Sequence, residues 1–249
     1  MRKRLAVWML AAAVCWAGPC LAAEAGGAAE TAADTAEAAE VAAETEDVGV
    51  TEEDLIFDFS AALLKYRYDD AVNQLLFVRG TGGSAAHIQF YTKADNIWTI
   101  DMECDGYIGK NGLTADHCEG DMATPVGEFH VLTAFGIKDK PDTALDYVDV
   151  TDDIWCSGEE EYYNQIIDAS VVDIELTGNS EHMIDYSPQY NYGLFPDCNK
   201  ECVYGKGSAI FVHCIGPKAY TAGCVAMPEA DMLYVLEHSD MNLVVCIGM

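Results

Sequence analysis

Basic residues are scarce in this chain: 13 Lys and Arg stand against 42 Asp and Glu, and the formal net charge is -29 at pH 7. So acidic a surface repels phosphate backbones, which argues against nucleic acid as a partner. The chain also lacks a P-loop, a dinucleotide-binding fingerprint and any repeat with a period of roughly 20 to 50 residues. Nucleotide chemistry and repeat architectures are therefore not expected.

Long apolar runs are absent after the N-terminus. There, three basic residues at positions 2–4 precede the run LAVWMLAAAVCWAG, and small residues follow before the first acid, Glu24. This arrangement predicts a signal peptide over residues 1–23 and a secreted, extracytoplasmic protein. No later segment approaches the roughly 20 apolar residues that a membrane-spanning helix needs, so we expect no membrane span. Lipid attachment at Cys20 is disfavoured, because the residues before it match the usual lipidation motif poorly.

Aromatic residues are missing from the segment that follows. Residues 24–50 contain only Ala, Gly, Glu, Asp, Thr and Val, too little bulk to build a core, so we predict a disordered spacer over residues 24–52. Residues 53–71 form a predicted short helical lead-in, because acids precede apolar residues at helical spacing in Glu53–Leu64.

Residues 72–249 have the texture of one mainly β domain. Short runs of branched and aromatic residues alternate with glycine-containing turns. The runs are QLLFVRG, AHIQFYTK, IWTIDME, EFHVLTAFG, YVDVTDDIW, SAIFVHC and MNLVVCIGM. One helix is predicted after Met227, with Pro228 in its first turn and acids at its positive end.

Eight cysteines follow the predicted signal peptide. In an exported protein they are first of all disulfide candidates, with Cys198–Cys202 and Cys104–Cys118 as the favoured pairs. If one thiol stays free for chemistry, an odd number remains, so at least one other is unpaired or pairs between chains. A zinc site built from Cys198, Cys202 and the later His and Cys residues is the weaker alternative, and no metal or other cofactor is expected.

A histidine and a cysteine close together near the C-terminus suggest nucleophilic chemistry. Gly207–Cys214 reads GSAIFVHC, and Thr221–Pro228 reads TAGCVAMP. Acyl transfer needs a thiol beside an imidazole that can move its proton, and N–H groups aimed at the developing oxyanion. His213, Cys224 and the amides around Gly223 could supply these. A disulfide at Cys224 and an ordinary buried His213 remain the alternative.

These segments resemble the histidine and glycine-cysteine signature of the YkuD-type L,D-transpeptidase catalytic domain. An earlier segment, Glu119–Phe129, reads EGDMATPVGEF and is similar to the EGD and TPxGxF stretch of that family. The resemblance covers about residues 72–249. It implies a YkuD-like domain, a curved mixed β-sheet or sandwich with a helix after the catalytic cysteine.

The resemblance also implies a function: peptidoglycan L,D-transpeptidase in the cell wall or periplasm, with possible L,D-carboxypeptidase activity. Cys224 would be the nucleophile that attacks a stem tetrapeptide, His213 the base and acid, and the Cys214 carbonyl the group that orients the imidazole. Carbapenem acylation is expected with it. Many members carry a histidine at the position of Ala222 and an arginine at that of Ala226, so carboxylate recognition and the choice of donor stay open here. The branch of the family that reads GSAIF-H and T-x-GC resembles this chain better.

Other residues have rival interpretations. Tyr192, Ser208 and Thr221 are possible substrate-binding residues, or they serve packing and turn capping. The stretch at residues 155–164, WCSGEEEYYN, is a surface insertion or a lid. Two alternative functions remain: a catalytically inactive, disulfide-stabilised wall-binding module, and an endopeptidase of wall cross-links.

Overall fold

The computed structural model describes residues 51–249, and the predicted signal peptide and almost all of the predicted spacer lie outside them. The described part is mainly β, as the sequence predicts. Its strands are β1 (Gln74–Gly82), β2 (Ala85–Ala94), β3 (Ile97–Tyr107), β4 (Leu113–Thr114), β5 (Thr124–Pro125), β6 (Gly127–Gly136), β7 (Tyr147–Asp149), β8 (Ile154–Ser157), β9 (Gln165–Asp168), β10 (Glu181–His182), β11 (Gly193–Pro196), β12 (Val212–Cys214), β13 (Val225–Met227) and β14 (Val244–Gly248). The α-helices are α1 (Phe59–Lys65) and α2 (Glu229–Glu237), and short 3-10 helices cover Glu52–Leu55, Glu160–Tyr162, Met183–Asp185 and Gln189–Asn191. Among the described residues no helix is long and apolar enough to cross a membrane.

The main sheet closes on itself in a barrel-like arrangement. Its strand order is β11-β12-β13-β3-β2-β1-β14-β6-β7, and β6 also pairs with β11, which joins the two sides. The pairings β1–β14, β12–β13 and β6–β7 are parallel and the other pairings of this sheet antiparallel, so the sheet is mixed. Two small sheets, β10-β8-β9 and β4-β5, lie outside it.

Strand β1 is apolar on both faces because both faces are covered. Leu76 and Val78 point into the main core, whereas Leu75 and Phe77 belong to a second cluster with α1. Alternate residues of a strand face opposite sides, so a strand covered on both sides needs a continuous apolar run. Helix α1 therefore seals the outer face of the sheet.

The lead-in is not one helix, as the sequence suggested for Glu53–Leu64, but a 3-10 helix followed by α1. The break falls where Asp58 acts as the N-cap of α1, with a carboxylate that accepts a hydrogen bond from the Ala61 N–H. An N-cap residue takes a non-helical conformation, so the chain cannot run through it as one helix.

Helix α2 follows the predicted glycine-cysteine segment, one residue later than its sequence suggested. Pro228 is its N-cap, with φ -56° and ψ 142°, and not a residue of its first turn. Met232, Val235 and Leu236 anchor the helix in the main core. The SAIFVHC run is likewise shorter as a strand than predicted, because Ala209 adopts a positive φ of 54° and only Val212–Cys214 is extended into the sheet.

The favoured disulfides are not formed. Cys104, Cys198 and Cys202 are free thiols. The Cys104 side chain packs against the main core, and the Cys202 thiol points to the Asn164 carbonyl at 4.0 Å. Within residues 51–249 no group of three or more His, Cys, Asp and Glu side chains is arranged to hold a metal ion.

Candidate active site

His213 and Cys224 are brought to one wall by two neighbouring parallel strands. His213 lies opposite Ala226 in the β12–β13 pairing. Cys224 lies two residues before Ala226, in the bend that immediately precedes β13. Both side chains line one open cavity together with Tyr190. The β12–β13 pairing thus brings to one cavity the histidine and the cysteine that the sequence predicted as catalytic from two separate motifs.

The His213 ring is held in one tautomer. Its Nδ1 donates a hydrogen bond of 2.8 Å to the Cys214 carbonyl, the contact that the family resemblance implied. Nε2 is therefore the nitrogen with a free lone pair. Burial lowers the pKa of His213 to about 4, which the Cys214 contact only partly offsets. The imidazole is neutral at pH 7 and able to accept a proton at Nε2.

The Cys224 thiol is free and largely buried, with 8% of the residue exposed. It donates to the Ala209 carbonyl at 3.0 Å and accepts from the Phe211 N–H at 3.3 Å. Burial, together with the smaller effect of the nearby Glu181 carboxylate, raises the pKa of Cys224 to about 12. The resting state is a neutral thiol whose proton is directed to a backbone carbonyl and not to the imidazole.

Thr221 shapes the loop that carries the thiol. Its hydroxyl donates to the Cys224 carbonyl at 2.6 Å and accepts from the Gly223 N–H at 3.1 Å. The predicted oxyanion donor at Gly223 is thus engaged within its own turn. At this position a side chain has no room, because a Cβ would lie 2.8 Å from Ile210 Cδ1 and 3.0 Å from the Ala123 carbonyl oxygen, at a φ of +155°.

The two sequence segments that carry the family resemblance meet at this loop. Thr124, from the TPxGxF stretch, donates to the Gly223 carbonyl at 2.7 Å and accepts from the Gly109 N–H at 2.8 Å. Backbone hydrogen bonds from Lys110 N–H to Thr221 O and from Thr221 N–H to Ile108 O, each 3.0 Å, extend the connection. The glycine-cysteine loop is therefore held from two directions.

Glu181 is a site residue that sequence reasoning missed. It is the first residue of β10. Its side chain lines both the cavity of His213 and a second cavity that also borders Cys224. The Tyr190 hydroxyl donates to its carboxylate. Burial raises the pKa of Glu181 to about 7, against the lowering effect of that hydrogen bond. In a chain with 42 acids no sequence signal separates this one from the rest.

The stretch at residues 155–164 contributes to the site as a wall. Part of it forms β8, which pairs with β9 and β10. Cys156 lines the second cavity, and the buried Asn164 accepts from the Ala209 N–H at 3.1 Å. The 155–164 stretch therefore supports Glu181 through the β8–β10 pairing, and through Asn164 it supports Ala209, whose carbonyl accepts the hydrogen bond from Cys224.

The three possible substrate-binding residues have different positions. Thr221 lines the first cavity and Ser208 the second. The Ser208 hydroxyl donates to Glu119 at 2.8 Å. Tyr192 packs against the main core, and its carbonyl accepts from the Cys214 thiol at 3.4 Å.

No family model matches the chain, and no curated protein matches it. The assignment of the site therefore depends on its own geometry: a free cysteine and a neutral histidine that share one cavity wall.

Proposed function

We propose that residues 72–249 form a peptidoglycan L,D-transpeptidase-like cysteine acyltransferase with a YkuD-like fold. The observation that carries this proposal is that His213, on β12, and Cys224, in the bend just before β13, line one open cavity. The mixed sheet, the helix α2 that follows the cysteine after the short strand β13, and the contact between the two resemblance segments support it. Such an enzyme would act outside the cytoplasm, on the cell wall.

The proposed reaction begins with transfer of the Cys224 proton. The thiol must turn from the Ala209 carbonyl towards the lone pair of His213 Nε2, which the Cys214 carbonyl holds ready by binding Nδ1. The thiolate then attacks the carbonyl of the third residue of a stem tetrapeptide, and the imidazolium gives its proton to the departing D-alanine. An amine or water completes the transfer.

Cations at the cavity mouth support a donor that carries carboxylates. Lys218 and Tyr220 line the first cavity. The ammonium groups of Lys110 and Lys218 lie 5.8 Å and 5.5 Å from the centre of the Tyr220 ring. On a protein of net charge -29, Lys218 in the cavity wall and Lys110 beside the same tyrosine ring form a local site for a peptide carboxylate. They would compensate for the arginine that Ala226 replaces.

One observation favours a second function, the inactive wall-binding module. The raised pKa of Cys224, about 12, leaves almost no thiolate at neutral pH in the unliganded protein. If binding of a donor does not bring the thiol to His213, the cavity would hold a stem peptide without turnover. The absence of a disulfide at Cys224 weighs on the other side, because it keeps the sulfur available.

Intact-mass spectrometry after incubation with a carbapenem tests the enzyme directly. We expect one covalent adduct in the unaltered protein, none in Cys224→Ala, and slow adduct formation in His213→Gln. Cys202→Ala is the matched control, since Cys202 is another free and partly exposed thiol, and its adduct should form at the normal rate. An adduct that persists in Cys224→Ala, or no adduct on the folded protein, would favour the binding module.

A further inference from the structure

A second histidine, His117, lines a neighbouring cavity that also borders Cys224. The two cavities share Met122, Glu181, Ala222 and Cys224 in their walls. His213 lines the first cavity and His117 the second. Cys224 thus borders both cavities, and each cavity has one imidazole in its wall.

The His117 ring is fixed in place by two glycines. A Cβ at Gly207 would lie 2.3 Å from both Cδ2 and Nε2 of the ring, and one at Gly223 would lie 3.7 Å from its Cε1. Gly207 has a φ of +91°, which few other residues tolerate. Only 11% of the His117 side chain is exposed. The His117 ring is therefore in contact range of Gly223, the residue before the candidate nucleophile.

Asp121 sets the tautomer of His117. Its Oδ2 lies 2.9 Å from His117 Nδ1, so Nδ1 carries the hydrogen and Nε2 the lone pair. The carboxylate is itself held by the backbone N–H groups of Cys118, at 3.0 Å, and Ala123, at 2.8 Å. This is the same tautomer as that of His213, produced by a carboxylate in place of a carbonyl.

His117 Nε2 is buried and has no hydrogen-bond partner among the described residues. Nearly all buried polar atoms of folded proteins are paired, so such an atom calls for a ligand that the resting protein does not supply. Besides His117, the charged and titratable groups that line the second cavity are Glu119, Cys156, Glu181 and Cys224, and Asp121 pairs with His117. Two carboxyl groups make this cavity suited to an amine and unsuited to a carboxylate.

We propose that His117 is a second catalytic base, which takes a proton from the amine that attacks the acyl group on Cys224. This inference depends on the proposed acyltransferase function and assigns the acceptor side of it. The amine nitrogen forms a bond to the acyl carbon as its proton passes to His117 Nε2. The bond from that carbon to the Cys224 sulfur breaks, and the leaving thiolate takes the proton back. His213 meanwhile serves the donor side, where D-alanine departs.

Single-turnover measurements separate the two half-reactions. The protein is mixed with the tetrapeptide L-Ala-γ-D-Glu-meso-diaminopimelate-D-Ala, and acyl-Cys224 is followed by quenched intact mass, first alone and then with glycinamide as the amine. We expect His117→Gln to form the acyl-enzyme within about two-fold of the normal rate and to transfer it to glycinamide about 100-fold more slowly, the usual size of a general-base effect. Asp121→Asn should show a smaller loss of the same kind. His87→Gln is the matched control, since His87 also pairs with an aspartate, Asp105, but on the surface of β2.

Chemical rescue distinguishes a base from a structural residue. In His117→Ala, added imidazole should restore much of the transfer to glycinamide and leave acyl-enzyme formation unchanged. Equal slowing of both half-reactions in His117→Gln and His117→Asn, or transfer that is indifferent to the variants, would overturn this inference while the acyltransferase function stands. Absence of any acyl-enzyme in the unaltered protein would overturn the proposed function, and this inference with it.

Discussion

The Thr124 hydroxyl donates a 2.7 Å hydrogen bond to the carbonyl of Gly223, 99 positions later in the chain. Its lone pair also accepts the Gly109 N–H at 2.8 Å. One fully buried side chain thus joins three segments at the residue that precedes the candidate nucleophile. These two hydrogen bonds hold the loop that carries Cys224. Thr124 itself takes no part in the proposed reaction, so a substitution there tests the support of the loop separately from the chemistry.

Thr124→Val removes both hydrogen bonds and keeps the shape of the side chain. The Gly109 N–H is left buried without a partner, so we expect a loss of about 2 kcal/mol in the free energy of unfolding. Carbapenem acylation should slow by more than that loss of folded protein explains, since the Gly223 loop is no longer held. Denaturant unfolding and adduct kinetics measure the two effects. Thr133→Val on β6 is the control, because the Thr133 hydroxyl also donates to two backbone carbonyls, those of Ala134 and Asp146. It should slow acylation little. Equal slowing by both variants would contradict a specific role of Thr124.

Gly223→Ala should abolish acylation. A Cβ there would lie 2.8 Å from Ile210 Cδ1 and 3.0 Å from the Ala123 carbonyl oxygen, at a φ of +155°, so the Ile210 side chain must turn aside and the backbone around Cys224 is strained. Gly82→Ala is the control, because Gly82 also has a positive φ, +123°, but nothing lies within 4 Å of its Cβ position. Both variants carry backbone strain, and only Gly223→Ala should lose the carbapenem adduct. A normal adduct rate in Gly223→Ala would show that the loop accepts a side chain.

Glu181→Gln should make Cys224 more reactive. The Glu181 carboxylate raises the pKa of Cys224, so its removal lowers that pKa and increases the thiolate fraction by about ten-fold for each unit. The measurement is the rate of alkylation by iodoacetamide at pH 8, read by peptide mass. Cys202 in the same molecule serves as internal reference. An unchanged ratio of the two rates would mean that the Glu181 charge does not reach the sulfur.

Glu181 should also make stability depend on pH. Its pKa in the folded protein, about 7, lies above the ordinary value of 4.5. Its stabilising contribution is therefore complete below pH 4.5 and is lost as the pH rises through 7, by about 3 kcal/mol in all. His213 acts in the opposite direction, because its lowered pKa removes stability as the pH falls from 6.5 towards 4. The difference between the unaltered protein and Glu181→Gln isolates the first effect, and denaturant unfolding at pH 5 and pH 8.5 should show it. A difference that is the same at both values would refute the expectation.

Lys218→Glu should weaken donor binding with little change in turnover. Reversal of a charge at the mouth of the first cavity repels a carboxylate, so we expect KM to rise by about ten-fold for a free stem tetrapeptide. The effect should shrink at high salt and for a donor whose carboxylates are amidated. Lys140→Glu is the control, because Lys140 also lies over a tyrosine ring, that of Tyr147 at 5.8 Å, but lines neither cavity. An equal rise in KM for both variants would indicate a general charge effect.

Much of the β architecture could be predicted from the sequence because local patterns reflect local physics. The apolar run of β1 and the alternation along its neighbours predict strands, and the acids after Pro228 predict the start of α2. The ends of strands and helices could not be predicted as well, because they depend on the backbone angles of single residues. The positive φ of Ala209 shortens β12, and the Asp58 cap divides the lead-in. The expected Cys198–Cys202 pair was wrong, because spacing along the chain does not tell which way two side chains point.

The sequence by itself determined that a histidine and a glycine-cysteine pair occur near the end of a mainly β chain, because those are properties of residue order. Only the tertiary structure decided what surrounds them. It placed Cys224 among apolar groups that raise its pKa, with Glu181 beside it, and set His117 against Gly223. Burial, charge and hydrogen-bond partners come from residues distant in the chain, and these govern whether a thiol can give up its proton.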